Sequence, residues 1–265
     1  MFSQRLIAFN ETFAPVGKYA RTVPVVACAW DESTSGRSSS DILSCFHNVI
    51  QKFGCSEEIV LWLDNCSAQN KNWNLFLHLI LLINSKLNKV QKLVLKFFET
   101  EHTFMAADSF HAAVEKQMKR TVPITLGDFI DVLQTAKQNV EVLNMKPVNF
   151  FQSTFSVSQY TLNKQKPRPY IENIRQVVLH RGSYEMQYSD LVSADRHMDR
   201  CMLFTKKHLK VIAENSFDLE STLKFLKSPR GIDADRRATL LNILTPLIPD
   251  AKKDFWRHLS EKSSL

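Results

Sequence analysis

The stretch from Ile59 to Asn72 constrains this chain more than any other. Ile59-Val60-Leu61-Trp62-Leu63 is a continuous apolar run of strand length. Such a run reads as a strand buried on both faces, in the middle of an α/β sheet. It delivers Asp64 at the strand's carboxyl end. A polar loop follows, Asn65-Cys66-Ser67-Ala68-Gln69-Asn70-Lys71-Asn72, with no Gly or Pro. Trp73 to Ile83 then reads as a mostly buried helix. Sites in open α/β sheets lie outside the carboxyl ends of strands, so Asp64, Asn65, Gln69, Asn70 and Lys71 are candidates for binding or catalysis. The structural alternative is that Asp64 bonds loop amides or caps the next helix.

The flanking chain supplies further elements. Residues 5–13 and 23–30 read as strands able to pair as a hairpin, with Pro15 and Gly17 between them. Serines before Asp41 offer caps to a helix carrying Ile42, Cys45, Phe46 and Val49 at helical spacing, and Gly54 is placed to end it. Residues 92–98 form another strand, and a helical pattern starts at Asp108. At about 100° per residue, Asp108, His111 and Glu115 share one face within roughly 60°. Two carboxylates and an imidazole so placed suit a hard or borderline metal ion. Each also has a structural reading: Asp108 as a first-turn acid, His111 as a spacer, Glu115 as a partner of Lys119.

Beyond residue 120 the pattern is weaker. A helix starts near Leu126. Residues 174–180 and 184–188 flank Arg181-Gly182-Ser183 as a hairpin. The tail reads as short helices over 218–227, 233–244 and 250–261. Net charge is +7, with a pI of about 9.1. This permits nucleic-acid binding but does not demand it, because no single-sign block stands out. The five cysteines are scattered, with no Cys-x-x-Cys spacing. A structural zinc site is not expected, and reduced thiols in an intracellular protein are. The longest apolar run, Leu75 to Ile83, is too short to span a bilayer, and Met1 opens no signal peptide. The chain shows no glycine-rich phosphate loop and no Gly-x-Ser-x-Gly elbow.

Three groups of residues, taken in order, carry a resemblance. They are Trp30-Asp31-Glu32 with Gly36-Arg37, the run Leu63 to Asn72, and His102-Thr103 with Asp108, His111 and Glu115. Together they resemble a large group of transposon-derived animal proteins whose core is similar to the ribonuclease-H-like fold of transposases and integrases. The specific part is Asp-Asn-Cys-x-x-Gln-Asn-Lys-Asn. The resemblance implies a mixed sheet in the order 3-2-1-4-5 flanked by helices. Residues 5–13 would be strand 2 and 23–30 strand 3. Acids on strand 1, at the end of strand 4 and on the helix after strand 5 would hold two Mg²⁺ or Mn²⁺ ions for phosphodiester cleavage. Asp64 matches the second acid, and Asp108, or else Glu115, the third. His111 would join the metal set, and His102 would line the substrate side with the loop amides.

Two departures shape the expectation. The strand holding the first acid precedes the segment that begins here, and Glu101 stands where relatives carry a glycine before His-Thr. The expected chain is an incomplete ribonuclease-H-like core over 1–137, lacking its first strand, with a hairpin and helical extension over 138–265. Its ancestral activity on DNA would be lost. The alternatives are an active nuclease with Glu11, Asp31 or Glu32 as third acid, and a non-catalytic module binding nucleic acid or protein. A DNA partner would make the protein nuclear. Deleting a central strand also leaves edges open, for which 174–180 is the best-patterned filler.

Overall fold

The structure, a computed structural model, describes residues 5–66, 70–98, 105–153, 169–192, 198–213 and 218–262. In chain order the elements are β1 (Ala8–Phe13), β2 (Val25–Asp31), α1 (Ser39–Lys52), β3 (Glu58–Leu63), α2 (Trp73–Asn84), β4 (Lys92–Phe97), α3 (Ala106–Met118), α4 (Leu126–Ala136), β5 (Val140–Asn144), β6 (Phe151–Ser153), β7 (Gln176–His180), β8 (Glu185–Ser189), β9 (Asp199–Met202), α5 (Lys206–Ala213), β10 (Leu223–Phe225), α6 (Ala234–Leu244) and α7 (Asp250–Arg257). The class is mixed α/β. No helix among the described residues is long and apolar enough to cross a membrane. The chain forms two compact units. One comprises residues 1–37, 104–150 and 225–265, the other 38–103 and 151–224.

The first unit is built on a sheet in the order β1-β2-β5. β1 and β2 form the expected antiparallel hairpin, and β5 lies parallel to β2. Alternation along β2 sends Ala27 and Ala29 to one face. There they pack with Phe110 and Val114 of α3 and Val132 and Leu133 of α4. The small alanines let both helices approach the sheet. On the other face Trp30 meets Phe9 and Phe150, each with ring centroids 5.4 Å away. Ile232, Leu240, Ile248, Trp256 and Leu259 of the C-terminal segment form a second apolar cluster.

The second unit is built on a five-stranded sheet in the order β3-β4-β7-β8-β9. β3 and β4 run parallel, and the remaining neighbours are antiparallel. Ser38 caps α1 through a reciprocal box: its N–H donates to Asp41 Oδ2 at 2.8 Å, and Asp41 N–H donates to Ser38 Oγ at 3.4 Å. α2 is buried on every side from Leu75 to Ile83, which accounts for its unbroken apolar sequence.

Several expectations need correction. β3 is not buried on both faces. It is the terminal strand of its sheet, and only Leu63 within it is fully buried. Strands 8–13 and 58–63 belong to different sheets, so the first does not close directly on the second. The hairpin over 176–189 exists, but β7 pairs with β4 and fills no gap beside β3. Residues 218–227 are not a helix. Glu220–Thr222 make one tight turn, after which the chain extends as β10. Gly54 follows the C-cap Phe53 where α1 stops, as expected, but its φ is not positive. It is needed because a Cβ there would sit 2.8 Å from the Gln51 carbonyl oxygen and 2.9 Å from Asn88 Cβ.

Candidate functional site

The loop after β3 is held by its own polar side chains. Asp64 Oδ1 accepts from the Cys66 N–H at 3.3 Å and from Asn70 Nδ2 at 2.5 Å. The Cys66 carbonyl in turn accepts from the N–H groups of Asn70 (2.8 Å) and Lys71 (3.1 Å). Asn65 Nδ2 donates to the Phe98 carbonyl, tying the loop to the end of β4. Asn72, not Asp64, caps α2: its Oδ1 accepts from the Leu75 N–H at 2.9 Å. Of the two structural alternatives for Asp64, bonding to loop amides is the one found.

Lys71 closes the loop. Its ammonium donates to Asn65 Oδ1 and to the Glu172 carbonyl, each at 2.9 Å, and lies 5.2 Å from the Phe97 ring centroid. The residue is 3% exposed. Burial, helped by the charge of Arg175 and opposed by Glu172, lowers its pKa to about 8. Glu172 and Arg175 were not legible as members of this cluster, because about a hundred residues separate them from Lys71. Asn70 is 7% exposed, and its Oδ1 is buried without a partner among the described residues.

Asp108, His111 and Glu115 stand on α3 of the first unit, whereas Asp64, Asn65, Asn70 and Lys71 belong to the second. Asp108 Oδ2 accepts from the Met105 N–H at 2.7 Å, the bond of a first-turn acid. His111 Nε2 lies 3.0 Å from Thr12 Oγ1 of β1. Glu115 is exposed further along the helix. Gln69 and His102 lie outside the described residues.

The alternative third acids also have local bonds. Asp31 Oδ1 accepts from the N–H (2.8 Å) and Oγ (2.6 Å) of Ser33 in a turn. Glu32 Oε1 accepts from the Ile7 N–H at 2.9 Å and pairs with Arg236 at 2.7 Å. Glu11 sits on β1, paired in register with Cys28. Among the described residues, no group of three or more His, Cys, Asp or Glu side chains is arranged to hold a metal ion. Asp64 Oδ1 and Asp108 Oδ2 each accept local hydrogen bonds.

A buried pair was missed altogether. His47 of α1 and His78 of α2 face one another with Nδ1 and Nε2 3.0 Å apart. The signal was available, a lone histidine within each apolar helical pattern, but nothing in the spacing said that the two would meet.

No curated protein and no solved structure matches the chain. A family model does. Residues 30–187, more than half of the chain and inclusive of the Asp64 loop, match the domain of unknown function DUF7869, and the chain belongs to that family.

Proposed function

We propose that this chain is a transposase-derived, ribonuclease-H-like domain that does not itself cleave DNA. One observation carries the reading: the acids that would serve a two-ion centre are engaged in local structural bonds. Asp64 holds its own loop and Asp108 holds the first turn of α3. The pairings support the ancestry. An antiparallel β1–β2 and a parallel β3–β4 are what strands 2–3 and 4–5 of that fold require. No catalytic step through Mg²⁺ or Mn²⁺ is assigned.

The test is plasmid nicking by the full chain in Mg²⁺ and in Mn²⁺, beside an Asp64→Asn variant. Both proteins should match a protein-free control. Nicking that needs the metal and disappears in Asp64→Asn would overturn the proposal. The charge of +7 permits a second reading, a non-catalytic module that binds nucleic acid. Its mark is DNA binding that weakens linearly on a log–log salt plot with no cleavage. Affinity absent at low salt would remove it and leave a protein partner.

A further inference from the structure

α1 and α2 meet across the two buried imidazoles. Their ring centroids are 5.2 Å apart. Phe151 of β6 closes the group. It stacks on His78 at 5.1 Å with an interplanar angle of 23°, and meets His47 edge-on at 5.0 Å and 72°. The Phe151 N–H donates to Ser44 Oγ of α1 at 3.2 Å. His78 Nδ1 is buried with no partner among the described residues.

A hydrogen bond between two imidazole nitrogens needs one N–H and one bare nitrogen. The first added proton would charge a ring out of reach of water. A second would set N–H against N–H at 3.0 Å. The surroundings offer little compensation. α2 holds no other ionisable side chain, and β6 holds none. α1 adds Asp41, Cys45 and Lys52, and Asp41 is bonded to the Ser38 cap. β7 and β8, against which α2 packs, bring His180, Glu185 and Tyr188.

We propose that the His47–His78 pair is an acid-sensitive latch: near neutral pH it clamps α1 to α2 and holds Phe151 of β6 against them, and proton uptake releases β6. Burial alone depresses His47 to about 4, and burial with the His47 charge holds His78 well below its usual value of 6.5. A folded pKa below the unfolded one gives a contribution that is complete above about 6.5 and fades as pH falls toward the folded value. Two such groups lower the folding constant about 50-fold between pH 6 and pH 5.

Urea denaturation of the full chain at pH 7, 6 and 5, beside His47→Leu/His78→Leu, reads this loss. The wild type should show the about 50-fold fall, and the double variant less than about 5-fold over the same interval. Equal falls in both would overturn the proposal. Amide exchange at Phe151, corrected for intrinsic rate, should rise between pH 6 and 5 more than that of Leu95 in the sheet. Equal change at both would refute the release of β6. Should the double variant not fold, imidazole nitrogen NMR of the wild type decides. Both rings should stay neutral to pH 5, and titration of either near 6.5 with a native spectrum would end the proposal.

Discussion

Lys71→Met asks whether the loop after β3 is a structural lock. The wild-type ammonium is held by an amide oxygen, a backbone carbonyl and a ring face. Its pKa falls from 10.5 to about 8 through burial first and the Arg175 charge second. At about 1.4 kcal/mol per pH unit this amounts to about 3 kcal/mol, reduced to about 2 for solvent reaching the loop. Below pH 8 both folded and unfolded chains keep the proton, and the burial penalty is present in full. Between pH 8 and 10.5 the folded state has shed the proton and the unfolded state has not, so stability from this group rises with pH. Methionine removes the titration. It also leaves Asn65 Oδ1 and the Glu172 carbonyl to water, at about 1 kcal/mol each, partly offset by the relieved charge burial. Paired urea denaturation at pH 7.5, 9 and 10.5 is the assay. The stability difference, wild type minus variant, should grow by about 2 kcal/mol across that range. Parallel curves would mean that the ammonium is not buried, and the lock would fall with it.

Two further outcomes follow from backbone geometry. Gly231 has φ +74°, and a Cβ there would lie 2.1 Å from the Glu261 carbonyl carbon, so Gly231→Ala should cost at least about 2 kcal/mol. The Ile232–Ser260 and Lys262–Ile232 backbone bonds, each 2.9 Å, should loosen, read as faster proteolysis near residue 260. Asn72→Ala removes the cap of α2 and should lower stability by about 1 kcal/mol, with Asn72→Ser recovering most of it in the same thermal melt.

The local elements were legible because their signals are local. The Ser38 cap, the apolar α2, the β1–β2 hairpin and the β7–β8 hairpin each depend on residues within a few positions of one another. What failed depended on partners. Apolar content alone cannot tell a central strand from an edge, so β3 was misplaced. The run 218–227 has helical spacing but extends beyond its first turn. At the candidate site, Asn65, Asn70 and Lys71 do gather around Asp64, as the motif suggested. There they hydrogen-bond to one another within the loop. Glu172 and His47 were invisible for the opposite reason: each meets its partner only through long-range folding.

Val60 separates the edge strand from the central one. In a parallel ladder, alternate residues direct both backbone groups to opposite sides. The Leu63 carbonyl accepts from the Phe98 N–H at 3.0 Å, so Leu63, Leu61 and Ile59 bond toward β4. Glu58, Val60 and Trp62 therefore present their N–H and C=O groups outward. Val60 is 42% exposed, while its register partner Val94 on β4 is 4% exposed. A lysine at 60 can lay its stem along the sheet and keep its charge in water, so Val60→Lys should cost within about 1 kcal/mol. At 94 the same change buries an unpaired ammonium, and Val94→Lys should cost about 3 kcal/mol or more. Charge on an open apolar edge also blocks pairing between molecules, so Val60→Lys should scatter less light than the wild type on heating. Urea midpoints and scattering of both variants decide the matter. If Val60→Lys proves as costly as Val94→Lys, β3 is covered on its outer side, and the open edge does not exist.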